Sequence, residues 1–258
     1  NNLIYYPEIE IFYQKEENKI ISYLNALGGA KLNSYSSLTD VNPYIAPTAL
    51  LVPTFNKYNI QLGIRSRLAS VLNFDFGLIF DEVENYNFYQ RLPFDNENEL
   101  ESYRLSNAFE SKYLNLSFYG FNASIIITLI QANFIRFEAS YRFFDTQQEE
   151  ILWNIPSLQA NWESQIKWND HLAFSFKGSM WGDRSAAVRP IFLDQELSSD
   201  LLINEQILPI FIRSSAHITY KLTKQFDLFF KGRFNSKGIH GRWSYYPEPP
   251  FLILGGIT

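Results

Sequence analysis

The sequence contains no cysteine, only three histidines, and no long uninterrupted apolar run. Without cysteine there is no disulfide framework and no thiolate chemistry. A membrane-spanning helix needs about 18 or more consecutive apolar residues, so the sequence predicts none. The start, Asn1-Asn2-Leu3-Ile4-Tyr5, has neither the basic residues nor the apolar stretch of a signal peptide. An exported protein with this start would be a mature or truncated chain.

The usual signatures of enzymes and of nucleic-acid-binding proteins are missing as well. A net charge of -5 argues against a nucleic-acid partner, which requires a basic surface. There is no G-x-S-x-G nucleophile motif, phosphate-binding loop or dinucleotide fingerprint. His171, His217 and His240 do not have the spacing of metal ligands. The sequence therefore predicts no enzymatic activity, no cofactor and no metal site.

Aromatic residues make up 17% of the chain, and apolar residues alternate with polar ones over long segments. The alternation is clear over 58–68, 72–81, 135–143, 158–168, 172–180, 210–222 and 226–235. Soluble strands average about 5 to 6 residues, whereas these runs have about 10 to 13, the length of a tilted transmembrane strand. The sequence thus predicts an all-β protein, a transmembrane antiparallel β-barrel, with a polar lumen and an apolar face toward lipid.

The connections between these runs alternate between short and long. Short connections fall near 14–18, 69–70, 131–133, 168–170 and 222–224, and long ones cover roughly 30–57, 84–107, 145–156, 183–208 and 236–249. Bacterial outer-membrane barrels have tight periplasmic turns and long extracellular loops. The alternation therefore favours a barrel in the bacterial outer membrane over a soluble sandwich.

The segment from Tyr113 to Ile130 departs from the simple pattern. Its apolar residues stand at even positions before Gly120 and at odd positions after it. Either a β-bulge or an extra tight turn would shift the phase, and the bulge preserves the alternation of connections. With this interpretation the chain has about 11 strands. Since closed bacterial barrels need an even number, we expect residues 1–258 to be the C-terminal part of a longer barrel of about 12–14 strands.

Several short motifs resemble those of the TonB-dependent-receptor-like outer-membrane proteins of the Bacteroidetes group. They are Asn42-Pro43-Tyr44, Pro53-Thr54, Trp153-Asn154-Ile155-Pro156, Trp243-Ser244-Tyr245-Tyr246-Pro247 and Gly255-Gly256-Ile257. The resemblance implies an outer-membrane location and a barrel of the transporter type. These residues contain no plug domain or TonB-contacting segment, so active transport is not implied. Similar barrels of this group also serve as structural partners in multi-protein machines.

Polar residues opposite the apolar positions are the candidates for the lumen wall. They are Arg65, Arg67, Asp75, Arg136, Glu138, Arg142, Glu163, Lys167, Lys177, Arg213, His217, Lys221, Asp227, Lys231 and Arg233. They could line a pore that selects solutes by charge, or form ion pairs that fill the interior. Aromatics at the run ends are candidates for a girdle at the lipid–water interface: Trp168, Trp181, Trp243, Tyr245 and Tyr246.

Three functions remain open from the sequence. The first is a transport or channel barrel whose lumen residues select the solute. The second is a structural or interaction subunit of an outer-membrane complex for assembly, secretion or uptake, with a blocked lumen. The third is a soluble sandwich that binds carbohydrate through its aromatics. The expected partners are outer-membrane lipid and, for the second function, other outer-membrane proteins or surface lipoproteins.

Overall fold

A computed structural model of the protein describes residues 6, 8–15, 19–68, 71–92, 108–129, 133–146, 151–188, 204–236 and 241–258. His240 lies outside these residues. These described residues of the chain form one short helix, α1 (Tyr35–Val41). Its strands are β1 (Glu8–Gln14), β2 (Ile20–Lys31), β3 (Thr54–Arg67), β4 (Leu72–Arg91), β5 (Phe109–Thr128), β6 (Phe134–Thr146), β7 (Leu158–Lys167), β8 (Leu172–Trp181), β9 (Arg184–Val188), β10 (Asn204–Leu208), β11 (Phe211–Lys221), β12 (Asp227–Asn235) and β13 (Phe251–Ile257).

One antiparallel sheet contains 11 of these strands in the order β1-β2-β3-β4-β5-β6-β7-β8-β11-β12-β13. Each strand pairs with its neighbours in sequence, except that the β9–β10 hairpin is inserted between β8 and β11. β1 and β13 are the two edges of the sheet. The predicted fold class, the count of about 11 strands and the alternation of short and long connections are confirmed. The hairpin, inside the long connection 183–208, was not predicted.

One face of the sheet carries an apolar surface that no described residue covers. On β3, Ile60, Leu62 and Ile64 are exposed, and their cross-strand partners on β4 are Phe80, Leu78 and Phe76, which are exposed too. Burying apolar surface is the main favourable term in folding, so an uncovered apolar face of this size requires an apolar surrounding. We refer to it as the outer face, and to the opposite one as the inner face.

The outer face changes from apolar to polar at one level. The change comes at Tyr58 and Glu82, which are cross-strand partners, and Lys57 Nζ lies 2.9 Å from Glu82 Oε1. Between this level and the short β3–β4 connection, β4 keeps an apolar outer face from Phe80 to Leu72. At about 3.3 Å per residue this is roughly 26 Å along the strand, or roughly 20 Å along the membrane normal at a tilt of about 40°. That height is comparable to the ~25 Å apolar band of outer-membrane barrels.

The interpretation of Gly120 as the site of a β-bulge is wrong. β5 is one continuous strand, and its pairing with both neighbours passes through Gly120 without a register shift. Leu114, Leu116 and Phe118 lie on the inner face and are buried there. The apolar phase changes because the inner face itself becomes apolar toward the long connections. β4 and β5 are also longer than predicted, extending beyond the polar level to Arg91 and back from Phe109.

The long connection between β2 and β3 contains α1, which the sequence did not predict. Ser34 caps the helix: its hydroxyl accepts a hydrogen bond from the Ser37 backbone N–H, and the Ser37 hydroxyl accepts one from the Ser34 N–H. This reciprocal pair satisfies two backbone donors that the first turn leaves unpaired. Within the described residues, no helix combines the length and the apolar character required to cross a membrane.

Candidate functional site: a polar chamber under a packed mouth

All the candidate lumen residues lie on the inner face. The register places Arg65 beside Asp75, Arg136 beside Glu163, and Lys177 beside both Glu163 and Ser215. The register shifts in β2, β3 and β4 all occur near the long connections, beyond these residues. Because the strands are regular over these positions, every second residue stays on the same face, and the candidate residues share the inner face. Their contact with transported solute stays a prediction.

A cavity of about 1040 Å³ occupies the inner face near the short connections. Its walls come from every strand from β1 to β7, so the sheet must curve toward this face. Neutral polar residues are the largest group in the lining, and they include Gln61, Asn122, Ser140, Gln159 and Asn161. We call this cavity the chamber. A curved wall with a polar inside and an apolar outside is the arrangement of a membrane barrel.

Tyr23 organises one side of the chamber. Its hydroxyl donates a hydrogen bond to Asp75 Oδ1 at 2.6 Å, and the Arg65 guanidinium lies 4.4 Å from the centre of its ring. Gly63 and Gly77 make room for this ring, because a Cβ at either position would overlap it. The tyrosine, the arginine and the aspartate form one connected group on the chamber wall.

Ion pairs neutralise most of the charge on the central strands. Arg65 Nε lies 3.5 Å from Asp75, Arg136 Nε lies 3.9 Å from Glu138, and Lys177 Nζ lies 2.7 Å from Glu163. Two other candidates pair outside the sheet. Lys167 contacts Asp170 in the next turn at 2.9 Å, and Arg213 pairs with Glu248 of the β12–β13 connection. Several of the candidate residues are therefore joined in separate ion pairs on the inner face, and a network that fills the interior stays a prediction.

The remaining candidates have other surroundings. Arg142 lies over the Phe118 ring, 5.1 Å from its centre, at the upper end of the chamber. Arg67 also lines the chamber. Lys221 and Asp227 are cross-strand partners beside a short connection, and His217 faces Lys231 across the β11–β12 pair. Arg233 lies one inner-face position further along β12.

Above the chamber the inner face is covered by apolar packing. One cluster joins Ile79, Val83, Leu116 and Phe118, with Leu152 of the β6–β7 connection packed against it. A second joins Phe88 and Leu114 to Trp153 and to Ala187 of β9. The β6–β7 connection and the β8–β11 connection, which contains β9, therefore both fold back over the inner face. We call this covered upper region the mouth.

A third apolar cluster brings together connections that are distant in sequence. Leu38 of α1 and Ile45 pack with Tyr89, Phe109 and Trp243. Trp243 belongs to the β12–β13 connection, at the far side of the sheet from α1. Contact between them over the β4–β5 extension requires the connections to converge, which also indicates a curved sheet.

Most of the predicted interface aromatics prove to be mouth residues. Trp243 is only 6% exposed, so its assignment to a lipid-facing girdle is wrong: it packs against Tyr89 and Phe109. Tyr246 stacks on Tyr44, with ring centres 3.4 Å apart, and the Arg91 guanidinium lies 3.9 Å from the centre of the Tyr245 ring.

The other two predicted girdle residues differ from each other. Trp181 is on the inner face, since it pairs with Gln159, and the Arg242 guanidinium lies 4.7 Å from its ring centre. Trp168, in contrast, is 73% exposed beside a short connection, where a girdle residue would lie. Its contact with lipid stays a prediction.

Arg184 fastens the mouth connections to one another. Its guanidinium donates hydrogen bonds to the carbonyl oxygens of Gly182, Pro209, Gly241 and Arg242, at 3.4, 3.3, 3.1 and 2.7 Å. Burial lowers the pKa of Arg184 to about 10, so the group stays charged at neutral pH. One buried cation thus joins the β8–β11 connection to the β12–β13 connection.

The motifs that carried the family resemblance meet in the mouth. Asn42 is fully buried and its side-chain oxygen accepts a hydrogen bond from the Tyr44 backbone N–H. Asn154 donates one to the Tyr89 carbonyl oxygen at 2.9 Å. Trp243 belongs to the apolar cluster around Tyr89 and Phe109, and Tyr246 packs against that cluster. The sequence therefore contained a signal for the mouth in its clustered Trp, Asn and Tyr motifs, but gave no indication that these motifs are in contact.

Several solved structures that share this fold are bacterial outer-membrane receptors. Over 98% of the chain, it superposes on the pyoverdine outer membrane receptor of Pseudomonas aeruginosa (TM-score 0.60, 12% identity), the ferric enterobactin receptor of the same species (0.56, 14%) and a siderophore receptor of Acinetobacter baumannii (0.58, 10%). The chain spans 35%, 39% and 40% of their lengths. No family model and no curated protein sequence matches it.

The class that these observations define is the antiparallel outer-membrane β-barrel. At identities this low, the likeness establishes the fold, and the predicted outer-membrane location agrees with it. Among the described residues, no three His, Asp or Glu side chains are grouped so as to hold a metal ion.

Proposed function

We propose that the chain is part of the wall of a bacterial outer-membrane barrel of the transporter type, in which polar solutes contact the chamber. The observation that carries the proposal is the two-sided sheet: exposed apolar residues outside and a polar cavity of about 1040 Å³ inside. The sequence motifs support the finer assignment to TonB-dependent-receptor-like barrels of the Bacteroidetes group. The siderophore-receptor fold supports uptake of a solute from outside the cell.

The chamber is better suited to a polar, hydrated solute than to an apolar one. Amide and hydroxyl groups such as those of Asn122, Ser140 and Asn161 can replace water around a polar solute. The ion pair between Arg65 and Asp75 leaves that part of the wall without net charge. Recognition there would rest on hydrogen bonds, with Tyr23 as a fixed element.

The test is the current through the purified full-length protein in planar lipid bilayers. We expect discrete single-channel currents, at least when the mouth is loosened by Arg184→Gln. The substitution Asn122→Trp, which places a large ring in the chamber, should reduce that current. A matched control is Ser117→Trp, which lies on the outer face at the polar level. Equal currents in both tryptophan variants would contradict a solute path through the chamber.

A second function is favoured by the packed mouth. Three apolar clusters and the Arg184 group close the upper part of the inner face. A barrel that is permanently closed there would serve as a structural or interaction subunit, with outer-membrane proteins or surface lipoproteins as partners. Silence of both the wild type and Arg184→Gln in bilayers, together with a stable partner after purification in mild detergent, would favour this function over transport.

A further inference from the structure

The inner face differs in charge between its central strands and β11–β12. On the central strands, several cations have carboxylate partners, such as Asp75 for Arg65 and Glu163 for Lys177. On β12, Lys231 and Arg233 are exposed and form no ion pair with any described residue. These two cations of β12 therefore differ from Arg213 of β11, which is paired with Glu248.

The unpaired cations are close together. Lys231 and Arg233 are two positions apart on one face of β12, a separation of roughly 6 to 7 Å. Lys231 pairs across the strands with His217, and Arg233 with Ser215, which in turn faces Lys177. With strands about 4.8 Å apart, these nitrogen-bearing side chains share a patch about 10 Å wide. We call it the basic patch.

No carboxylate on the same strands compensates the basic patch. Asp227, the acidic residue on the inner face of β12, is four positions from Lys231, roughly 13 Å along the strand. Glu163 is held by Lys177, and Glu248 by Arg213. Like charges placed this near each other repel, and an anion bound between them would relieve that repulsion.

We propose that the basic patch binds a multiply charged anion through carboxylate or phosphate groups. This inference rests on the proposed function, because it requires that the inner face of β11–β12 lines a water-filled lumen. The Arg233 guanidinium can hold a carboxylate or phosphate with two parallel hydrogen bonds, and the Lys231 ammonium adds a mobile point charge. His217 adds a hydrogen-bonding ring.

The test compares citrate and inorganic phosphate as probes on the full-length protein. Each is titrated calorimetrically into the protein in detergent, and each is added to the bilayer while current and reversal potential are recorded. For Lys231→Gln/Arg233→Gln we expect citrate affinity to fall about tenfold and the anion-to-cation permeability ratio to fall about threefold. Tighter binding of citrate would identify carboxylates as the preferred groups. Tighter binding of phosphate would identify phosphate groups instead.

Two control variants separate the patch from general charge effects. Lys15→Gln/Lys224→Gln removes the same charge from short connections, and Arg136→Gln/Glu138→Gln removes a paired cation and its carboxylate. Both should retain citrate binding within about twofold. A loss in either control equal to that of the patch variant, or binding of neither probe to the wild type, would overturn the inference. Patch-dependent binding without current would sustain it while contradicting transport.

Discussion

The two ends of the same inner face have opposite chemistry. Near the short connections it is polar and encloses a cavity lined by residues such as Gln61 and Asn122. Near the long connections it is apolar and filled by packed side chains such as Leu116 and Phe118. The pairing of β5 passes through Gly120 without a register shift, so what differs there is the contacting medium: water at one end and folded connections at the other.

The largest effect that follows from this comparison concerns Leu116, which is 1% exposed. We expect Leu116→Ala to lower the free energy of unfolding by about 2 to 5 kcal/mol, because it leaves a cavity in a packed cluster. Asn122→Ala in the chamber should change it by less than about 0.5 kcal/mol. Urea titration of the refolded protein in detergent measures both. Similar losses in the two variants would show that the inner face is not divided as described.

The outer face should respond to charge according to depth. Phe76 lies near the middle of the apolar band, and we expect Phe76→Arg to cost about 2 to 4 kcal/mol. Leu228 is next to the β11–β12 connection, so Leu228→Arg should cost about 1 kcal/mol or less. The same titration in lipid vesicles measures the difference. A larger cost at Leu228 than at Phe76 would require a different position of the band.

Arg184 offers a way to loosen the mouth without touching the chamber. Arg184→Gln leaves several buried carbonyl oxygens without their charged donor, so we expect a loss of about 2 to 4 kcal/mol. Limited proteolysis should cut the β8–β11 and β12–β13 connections faster. Arg184→Lys keeps the charge but not the fork-shaped donor, so its rate of proteolysis should lie between those of the wild type and Arg184→Gln. Unchanged proteolysis in both variants would show that other contacts hold the mouth.

The smallest expected effect is a pH dependence of the mouth. Burial raises the pKa of Tyr89 to about 12 from 10.0. A raised pKa of a tyrosine in the folded state means that its contribution to stability is complete below pH 10 and is lost as the pH approaches about 12. Trp243, whose ring centre is 5.5 Å from that of Tyr89, supplies the fluorescence signal. Tyr89→Phe should weaken the change between these pH values; an identical profile would exclude Tyr89 as its source.

The wall of the barrel could be predicted from the sequence because alternate residues of each strand match the polarity of the medium on each face. Residues such as Ile60 and Gln61 differ in polarity since one meets lipid and the other the chamber. The mouth could not be predicted in the same way. Trp243 and Leu38 meet only after the sheet curves, and an aromatic residue at a strand end has the same composition signal in a girdle as in a packed cluster.

The error at Gly120 has the same origin. A change of apolar phase was interpreted as a change of backbone, whereas the backbone is regular and the medium inside changes. The inserted hairpin β9–β10 was missed because its strands have only five residues each and carry no long alternating run. Short elements stabilised by distant contacts leave little local pattern.

The position of Trp243 and Tyr246 just before β13 bears on the order of assembly. The β4–β5 extension carries apolar side chains on both of its sides, and it cannot shield them until segments from much later in the chain arrive. One of those segments immediately precedes the last strand of the sheet. Closing the entrance is thereby tied to the segment that leads into β13, so we expect the entrance to stay open until that segment has folded onto the β4–β5 extension.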